Sequence, residues 1–195
     1  MRKRIVLPGI TIGVGNLTVG GTGKTPVTVE VATLLKRSGL RVAVLTRGYG
    51  AADGGVLVVS DGRSILTNAQ KAGEEAMLLS SRLTDVAVVK GKHRDRSGSL
   101  AHRLFDTNAF VLDDSFQYDR VVKDNELLLI DVSAPFFEES LLPLGRLREP
   151  VWCARRADAV ILTRADQVDS ETMVRMKERI SVLVPGTPVF QAALV

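Results

Sequence analysis

The chain has 195 residues, 45% of them hydrophobic, a formal net charge of +4 and one cysteine. That length suits a single domain that buries roughly 70% of its extended surface without a disulfide or structural metal. Cys153 has no internal partner, no His/Cys cluster has metal-ligand spacing, and no apolar run of about 18 residues is present to span a bilayer, so a cytoplasmic protein with an anionic partner is expected.

The opening MRKRIVLPGITIGVG imitates a signal peptide, but Pro8 and Gly9 interrupt its apolar run and no small-residue cleavage site follows. It reads as a first buried strand at residues 11–14. Further strands are predicted at 41–45, 86–89, 109–112, 126–130, 159–163 and 188–191, and helices at 26–37, 69–82, 97–105 and 170–183. Most of the strand runs are continuously apolar, as strands covered on both faces are. VLVVSDGRSIL, residues 56–66, carries two apolar pieces around Asp61-Gly62 and predicts a hairpin. Residues 133–150 hold three prolines and little periodicity, which predicts an ordered loop near the edge of the sheet. The expected fold is α/β, and with Gly23-Lys24-Thr25 closing a glycine-rich loop between the first strand and the first helix it is P-loop NTPase-like: a mostly parallel sheet flanked by helices, one domain over 1–195, with a small β-hairpin insertion at about 51–67.

VGNLTVGGTGKTP lies between the first strand and the first helix. The pattern G-x-x-x-x-G-K-[ST] is met at Gly23-Lys24-Thr25, whereas Thr18 stands at the first glycine position. Gly20, Gly21, Thr22 and Gly23 supply backbone N–H groups that can turn around phosphate oxygens. Lys24 then reaches the β- and γ-phosphates, and the Thr25 hydroxyl ligates Mg²⁺. Pro26, lacking an N–H, suits the first turn of the following helix. A glycine-rich turn without ligand is the plain alternative. Val19 stands where partition-type ATPases of the ParA/MinD kind carry a signature lysine, which argues against that subclass.

AFVLDD places Asp113 and Asp114 at the end of a strand, where a P-loop protein needs a carboxylate to organise Mg²⁺. Adjacent residues on an extended chain point oppositely, so one carboxylate faces the metal and the other the acceptor or a loop. Asp131, at the end of the next strand, is a weaker candidate. Glu74-Glu75 opens a helical pattern, as acids favourable to the helix dipole or as a carboxylate near the loop able to take a proton. KGKHRDRSG, residues 90–98, is a solvated charge run or an anion-binding patch. Arg47 of TRGYG sits at the carboxyl edge of a strand, where α/β ligands bind. Thr163-Arg164-Ala165-Asp166 faintly echoes the guanine-reading motif of GTPases.

VGNLTVGGTGKTP, TRGYG, AGEEAMLL, VLDDSFQY and LLPLGRLREP occur in this order, and with RADAVILTRAD and PVFQA they resemble the tetraacyldisaccharide 4′-kinase family from about Ile5 to Phe190. Thr18 and the proline after Gly-Lys-Thr are ordinary in that family. The resemblance implies transfer of the ATP γ-phosphate to the 4′-hydroxyl of an acylated glucosamine disaccharide 1-phosphate. The reaction is placed at the cytoplasmic face of the bacterial inner membrane, with the protein peripheral there and no nucleic acid as partner. Carried over by position, Thr18, Gly20, Gly21, Thr22, Gly23, Lys24 and Thr25 bind nucleotide, and Asp113 and Asp114 form a Walker-B-like pair. Thr25, Asp113 and Glu149 hold the metal, Arg47 and Tyr49 line the substrate side, and Glu74 takes the place of the family's aspartate base.

Glu74 carries its carboxylate one methylene further out than that aspartate, and a misplacement of about 1 Å can cost on the order of a hundredfold in rate. Ser115 and Tyr118 stand for the family's glycine and histidine. Members are usually longer at both ends, with an N-terminal membrane-associated helix and a C-terminal acidic-His-His motif. Two readings therefore stand beside each other: a lipid A 4′-kinase, or a P-loop ATPase of the same fold with a regulatory or assembly role.

Overall fold

The computed structural model describes residues 4–51 and 55–193. In chain order it contains β1 (Ile10–Gly15), α1 (Lys24–Arg37), β2 (Val42–Thr46), β3 (Leu57–Ser60), α2 (Ala69–Ala72), α3 (Glu74–Arg82), β4 (Ala87–Lys90), α4 (Arg94–Phe105), β5 (Ala109–Leu112), β6 (Asn125–Asp131), β7 (Ala159–Thr163), α5 (Ser170–Leu183) and β8 (Val189–Ala192). The strands form one eight-stranded sheet in the order β3-β4-β2-β5-β1-β6-β7-β8. All neighbours are parallel except β3, which runs antiparallel to β4. No helix among the described residues is long and apolar enough to cross a membrane.

The continuous apolar runs are explained by burial on both faces. In β2, Val42 and Val44 join a cluster with Val27 and Ala32 of α1 and Leu79 of α3. Ala43 and Leu45, pointing the other way, join Phe110, Leu112 and Ala101 of α4. Leu128 and Ile130 of β6 pack with Met173, Met176 and Ile180 of α5. Each fully buried side chain of this kind contributes roughly 1.5–3 kcal/mol. Asp169 fixes where α5 begins: its carboxylate accepts the Thr172 N–H at 2.7 Å, a side-chain N-cap.

The chain enters at β1 in the middle of the sheet, builds outward to one side, returns to β5 and then continues on the other side from β6. The loop after β1 therefore lies at a point where strand order reverses, with β5 on one side and β6 on the other. The crevice beyond the carboxyl ends of such strands is where α/β sheets receive ligands.

Four sequence expectations are corrected here. The helix predicted at 69–82 is two helices, because Gly73 adopts φ +87° and ψ 151° between them. The hairpin expected as a small insertion is built into the main sheet: β3, its first arm, is an edge strand there. The return arm is reduced to a Ser60–Ile65 bridge and a hydrogen bond from Leu66 N–H to the Val59 carbonyl (2.8 Å). Positions 52–54 of that predicted insertion lie outside the described residues. Third, α4 begins at Arg94, three residues before the predicted start, so the basic run is partly helix. Finally, residues 133–150 do not border the sheet. They fold back across its centre, where Leu147 bridges Thr18 and is 2% exposed.

Gly73 illustrates how local strain sets the site. Its φ and ψ fall in a region open essentially to glycine alone, and a Cβ there would collide with the Tyr49 carbonyl oxygen. We expect Gly73→Ala to lower the unfolding free energy by about 2 kcal/mol. A urea titration followed by circular dichroism measures this, and an unchanged midpoint would contradict the account.

Candidate active site

The loop from Asn16 to Gly23 is held from outside. Val19 N–H donates to the Arg146 carbonyl (2.8 Å), Arg148 N–H donates to the Leu17 carbonyl (2.7 Å), and Thr18 forms an antiparallel bridge with Leu147. Thr163 Oγ1 donates to the Thr22 carbonyl (3.0 Å), and Arg164 Nη2 donates to the Gly21 carbonyl (2.9 Å) while its Nη1 pairs with Asp131. These contacts draw carbonyls outward and leave the interior of the loop to N–H groups. Gly20 has φ +113° and Gly23 φ +77°. A Cβ built on Gly20 or Gly21 meets nothing within 4 Å, so both border open space. The Thr22 hydroxyl is buried without a hydrogen-bond partner. An open cradle at the N-terminus of α1 with an orphaned hydroxyl fits an incoming polyphosphate.

Thr18 needs no glycine geometry. Its φ is not positive, its side chain is 5% exposed, and its Oγ1 accepts from Asn16 Nδ2 (3.1 Å). Lys24 Nζ reaches back over the loop to Asn16 Oδ1 (3.2 Å), the Gly20 carbonyl (3.4 Å) and Asp114 Oδ1 (3.5 Å). Thr25 is half-buried at the start of α1.

The two aspartates at the end of β5 separate as expected. Asp113 is fully buried; its Oδ1 accepts from Thr28 Oγ1 (2.9 Å) and its Oδ2 from Thr46 Oγ1 (3.4 Å). Burial raises its pKa, the Thr28 bond working against that rise. Asp114 turns into the left-handed region at φ 46° and faces the loop mouth, where it binds Lys24 and Arg148. Arg148 Nη1 lies 3.0 Å from each Asp114 oxygen.

Glu74 and Glu75 share a cavity of about 420 Å³ with Lys24, Tyr49, Asp114 and Arg148. Glu74 is exposed to it and Glu75 is half-buried. Burial, with the charges of Asp113 and Asp114 added, pushes Glu75 up to about 7. The Glu149 carboxylate is engaged by Arg156 Nη2, and among the described residues no group of three or more His, Cys, Asp or Glu could hold a metal ion. Asp131 is likewise occupied, by Arg164 and Ser133.

From this cavity the surface continues into a second of about 430 Å³, sharing Tyr49, Asp114 and Arg148, and then a third of about 790 Å³. The third contains Arg4, Arg47, Lys92, Arg94, Arg120 and Arg156 against a single carboxylate, Asp119. Arg94 is 3% exposed, lies 5.0 Å from the Tyr118 ring centroid and donates through Nη2 to the Asp113 carbonyl (3.3 Å). Burial lowers its pKa. Arg47 Nη1 donates to the Tyr49 hydroxyl (2.7 Å), which puts both expected substrate residues at one wall. Tyr118 accepts the Arg94 backbone N–H (3.0 Å) and donates to Asp95 Oδ1 (3.2 Å); burial raises its pKa. The basic run is thus partly a cavity lining.

Sequence reasoning missed Asn16, Arg148, Thr28, Thr163, Arg164 and the role of Glu75. Asn16 and Thr28 flank the phosphate motif closely enough to have been found from spacing; Thr163 and Arg164 were noticed only as an echo of a guanine-reading motif, whereas they hold the Thr22 and Gly21 carbonyls, and Arg148 arrives from a distant segment with no local signal.

The raised pKa of Glu75 has a sign that can be checked. A carboxyl raised above its unfolded value favours the neutral form, so its ionisation destabilises the folded chain as pH rises through about 7. We expect Glu75→Gln to stabilise the ligand-free chain by roughly 1 kcal/mol at pH 8, allowing for solvent screening. The gain should shrink as pH falls towards 4.5, the ordinary carboxyl value. Urea midpoints of the two proteins at several pH values decide it.

Comparison with known proteins agrees with this architecture. The family model described as tetraacyldisaccharide-1-P 4′-kinase matches residues 1–194. A tetraacyldisaccharide 4′-kinase of Pelobacter propionicus is 48% identical over 163 residues, covering 83% of this chain and 45% of that relative. One of Desulfatibacillum aliphaticivorans is 42% identical over 186 residues, covering 94% of this chain and 48% of the other. The crystal structure of LpxK from Aquifex aeolicus in complex with ATP superposes with a TM-score of 0.83 at 35% identity, covering 97% of this chain and 55% of that one. The hydrogenase maturation factor HypB of Archaeoglobus fulgidus, at 9% identity and a TM-score of 0.54, shares the fold alone. The chain spans about half the length of the curated relatives it matches. It belongs to the tetraacyldisaccharide-1-P 4′-kinase family.

Proposed function

We propose that this chain is a P-loop kinase domain that transfers the ATP γ-phosphate to the 4′-hydroxyl of an acylated glucosamine disaccharide 1-phosphate, a step of lipid A synthesis. The observation that carries the reading is the run of cavities from the mouth of the phosphate loop to the basin of six cations. A nucleoside triphosphate alone would use the first. An acceptor that is itself anionic and extended gives a reason for the others.

Thr18, Gly20, Gly21, Thr22, Gly23, Lys24 and Thr25 would hold the nucleotide, with Thr25 and Asp113 the groups for Mg²⁺. When bound, Mg²⁺ neutralises charge on the β- and γ-phosphate oxygens. Glu149, tied to Arg156, is the weakest member of the metal set carried over from the family. Glu74, exposed in the cavity it shares with Lys24, takes the proton of the sugar hydroxyl. The hydroxyl oxygen forms its bond to the γ-phosphorus as the bond to the β–γ bridging oxygen breaks, and ADP leaves. Lys24 stabilises charge on the phosphoryl group, and Glu75 keeps the floor of the site weakly charged until a cation arrives. Arg47 and Tyr49 line the acceptor's path.

An acylated acceptor also accounts for apolar groups at the entrance. Leu142 lines the middle cavity and is half-exposed, and Leu144 beyond it is 91% exposed. These suit contact with acyl chains at a bilayer surface, the cytoplasmic face of the inner membrane in this reading.

With Mg-ATP and a radiolabelled γ-phosphate, we expect an acylated glucosamine disaccharide 1-phosphate to be phosphorylated in detergent micelles. Lys24→Ala should abolish transfer. Intact ATP binding without turnover of any such acceptor would overturn the reading, and partner-stimulated hydrolysis in its place would favour the regulatory ATPase. Separately, Arg47→Ala should raise KM for the acceptor about tenfold, the worth of one charge-assisted contact, while KM for ATP stays unchanged. Equal changes in both constants would remove Arg47 from the acceptor side.

A further inference from the structure

Beneath the turn that carries Asp114 lies a buried ion pair with no part in the transfer described above. Lys123 Nζ is paired with Glu126, and both side chains are 8% exposed. Glu126 stands in register with Gly13 of β1. Gly13 and Gly15 fall on the same face of that strand, because alternate residues do. A Cβ on Gly13 would lie 2.3 Å from Glu126 Oε1 and 2.6 Å from Lys123 Cδ, and one on Gly15 would lie 2.6 Å from the Phe116 nitrogen. The strand that leads into the phosphate loop thus omits two side chains to admit the lysine, its carboxylate and the turn.

A buried pair of this kind is weak evidence for stability, since an apolar pair of the same shape is often as stable or more so. Glu126 Oε1 even lacks a hydrogen-bond partner among the described residues. What an apolar pair could not do is donate, and Lys123 Nζ donates to the Ser115 carbonyl at 2.9 Å. The same oxygen accepts the Tyr118 N–H (2.7 Å), and the Ser115 N–H donates to the Val14 carbonyl (3.0 Å). Arg156 Nη2 donates to the next carbonyl, that of Phe116, at 3.0 Å. Each of the three peptide groups that follow Asp114 is therefore fastened.

At the mouth, by contrast, the ion pairs with Lys24 and Arg148 act only on the Asp114 side chain. Glu74 and Glu75 line the same cavity, and their charges compete with Asp114 for Lys24. The direction in which Asp114 points then has to come from its main chain, which holds φ at 46°.

We propose that Lys123 is a positioning residue of the phosphate site: by holding the Ser115 carbonyl from within the protein, it keeps Asp114 aimed at Lys24 and Lys24 over the loop. Glu126 directs the ammonium at that carbonyl. Lys123 itself touches neither nucleotide nor acceptor. The proposal rests on the phosphate-loop part of the reading above and is independent of the acceptor's identity.

The test compares wild type, Glu126→Gln and Glu126→Gln/Lys123→Met, each with and without Asp114→Asn. Glu126→Gln is the reference because it leaves no lone buried carboxylate once the lysine is removed, and its amide oxygen still accepts from Lys123. Urea midpoints are measured beside the affinity for a fluorescent, non-hydrolysable ATP analogue with Mg²⁺. Glu126→Gln should bind the analogue within about twofold of wild type even where its midpoint falls. Adding Lys123→Met should weaken binding about tenfold, on the order of one hydrogen bond from a charged group. In the Asp114→Asn background the same addition should change binding less than about twofold, as for two residues that act as one unit. A crystal structure of Glu126→Gln/Lys123→Met should show Lys24 Nζ more than about 4 Å from the Asp114 carboxylate, the reach of an ion pair. Equal weakening in both backgrounds, no weakening at all, or an unchanged contact between Lys24 and Asp114 overturns the proposal. Where Asp114→Asn abolishes binding, the crystal structure decides. A wild-type chain that binds no analogue removes the phosphate-loop reading, and the crystal structure still tests the positioning. If the Lys123→Met chain does not fold, Lys123→Gln, whose amide is too short for the Ser115 carbonyl, takes its place under the same criteria.

Discussion

A peptide group has two ends, and turning its oxygen one way turns its N–H the other. The phosphate loop depends on that elementary coupling. Thr163 and Arg164 pull the Thr22 and Gly21 carbonyls outward from the carboxyl end of β7, and the returning segment at Arg146–Arg148 pairs with residues 17–19 from the other side. The loop is therefore not an isolated ribbon shaped by its glycines. It is a strand-to-helix turn clamped between two distant parts of the chain, and glycine is required where φ turns positive, at Gly20 and Gly23. Thr18 is tolerated because the clamp, rather than backbone freedom, defines its position.

The clamp also decides the placement of charge. Asp113 is turned into the protein towards Thr28 and Thr46, and Asp114 is turned out towards Lys24 and Arg148. One strand end thus supplies a buried carboxylate with a raised pKa beside an exposed-facing one locked in ion pairs. Non-glycine residues rarely adopt the left-handed conformation of Asp114, and such strain persists where surrounding contacts over-determine it. Here the two ion pairs are those contacts.

How much of this was legible in the sequence follows from whether the cause was local. Six of the eight strands appear as apolar runs because burial on both faces leaves a run of about the right length wherever such a strand occurs, while β8, also anticipated, is an edge strand with no buried residue. The phosphate loop and the Asp113-Asp114 pair are contiguous, so their spacing gives them away. β3 was misjudged because Asp61-Gly62 announces a turn but not which sheet its arms will join. Gly73 was passed over inside an otherwise good helical pattern, since nothing local reveals that Tyr49 will press against it. The segment 133–150 was placed at the border because its pairing partner lies more than a hundred residues away. Glu149 was assigned from its position in a motif, whereas its neighbour Arg156 is seen only once the short helical turn after Pro150 is formed.

The border at β3 bears on how the molecule behaves among its own copies. Register slips between Val58 and Ser60, and the chain then turns back through Asp61, whose carboxylate takes the N–H groups of Arg63 and Ser64. A foreign strand laid along that side would find the ladder out of step and part of it already covered by residues 64–66. Growth of the sheet by addition of a second molecule is thereby discouraged at the β3 edge, which leaves β8 as the more open of the two edges.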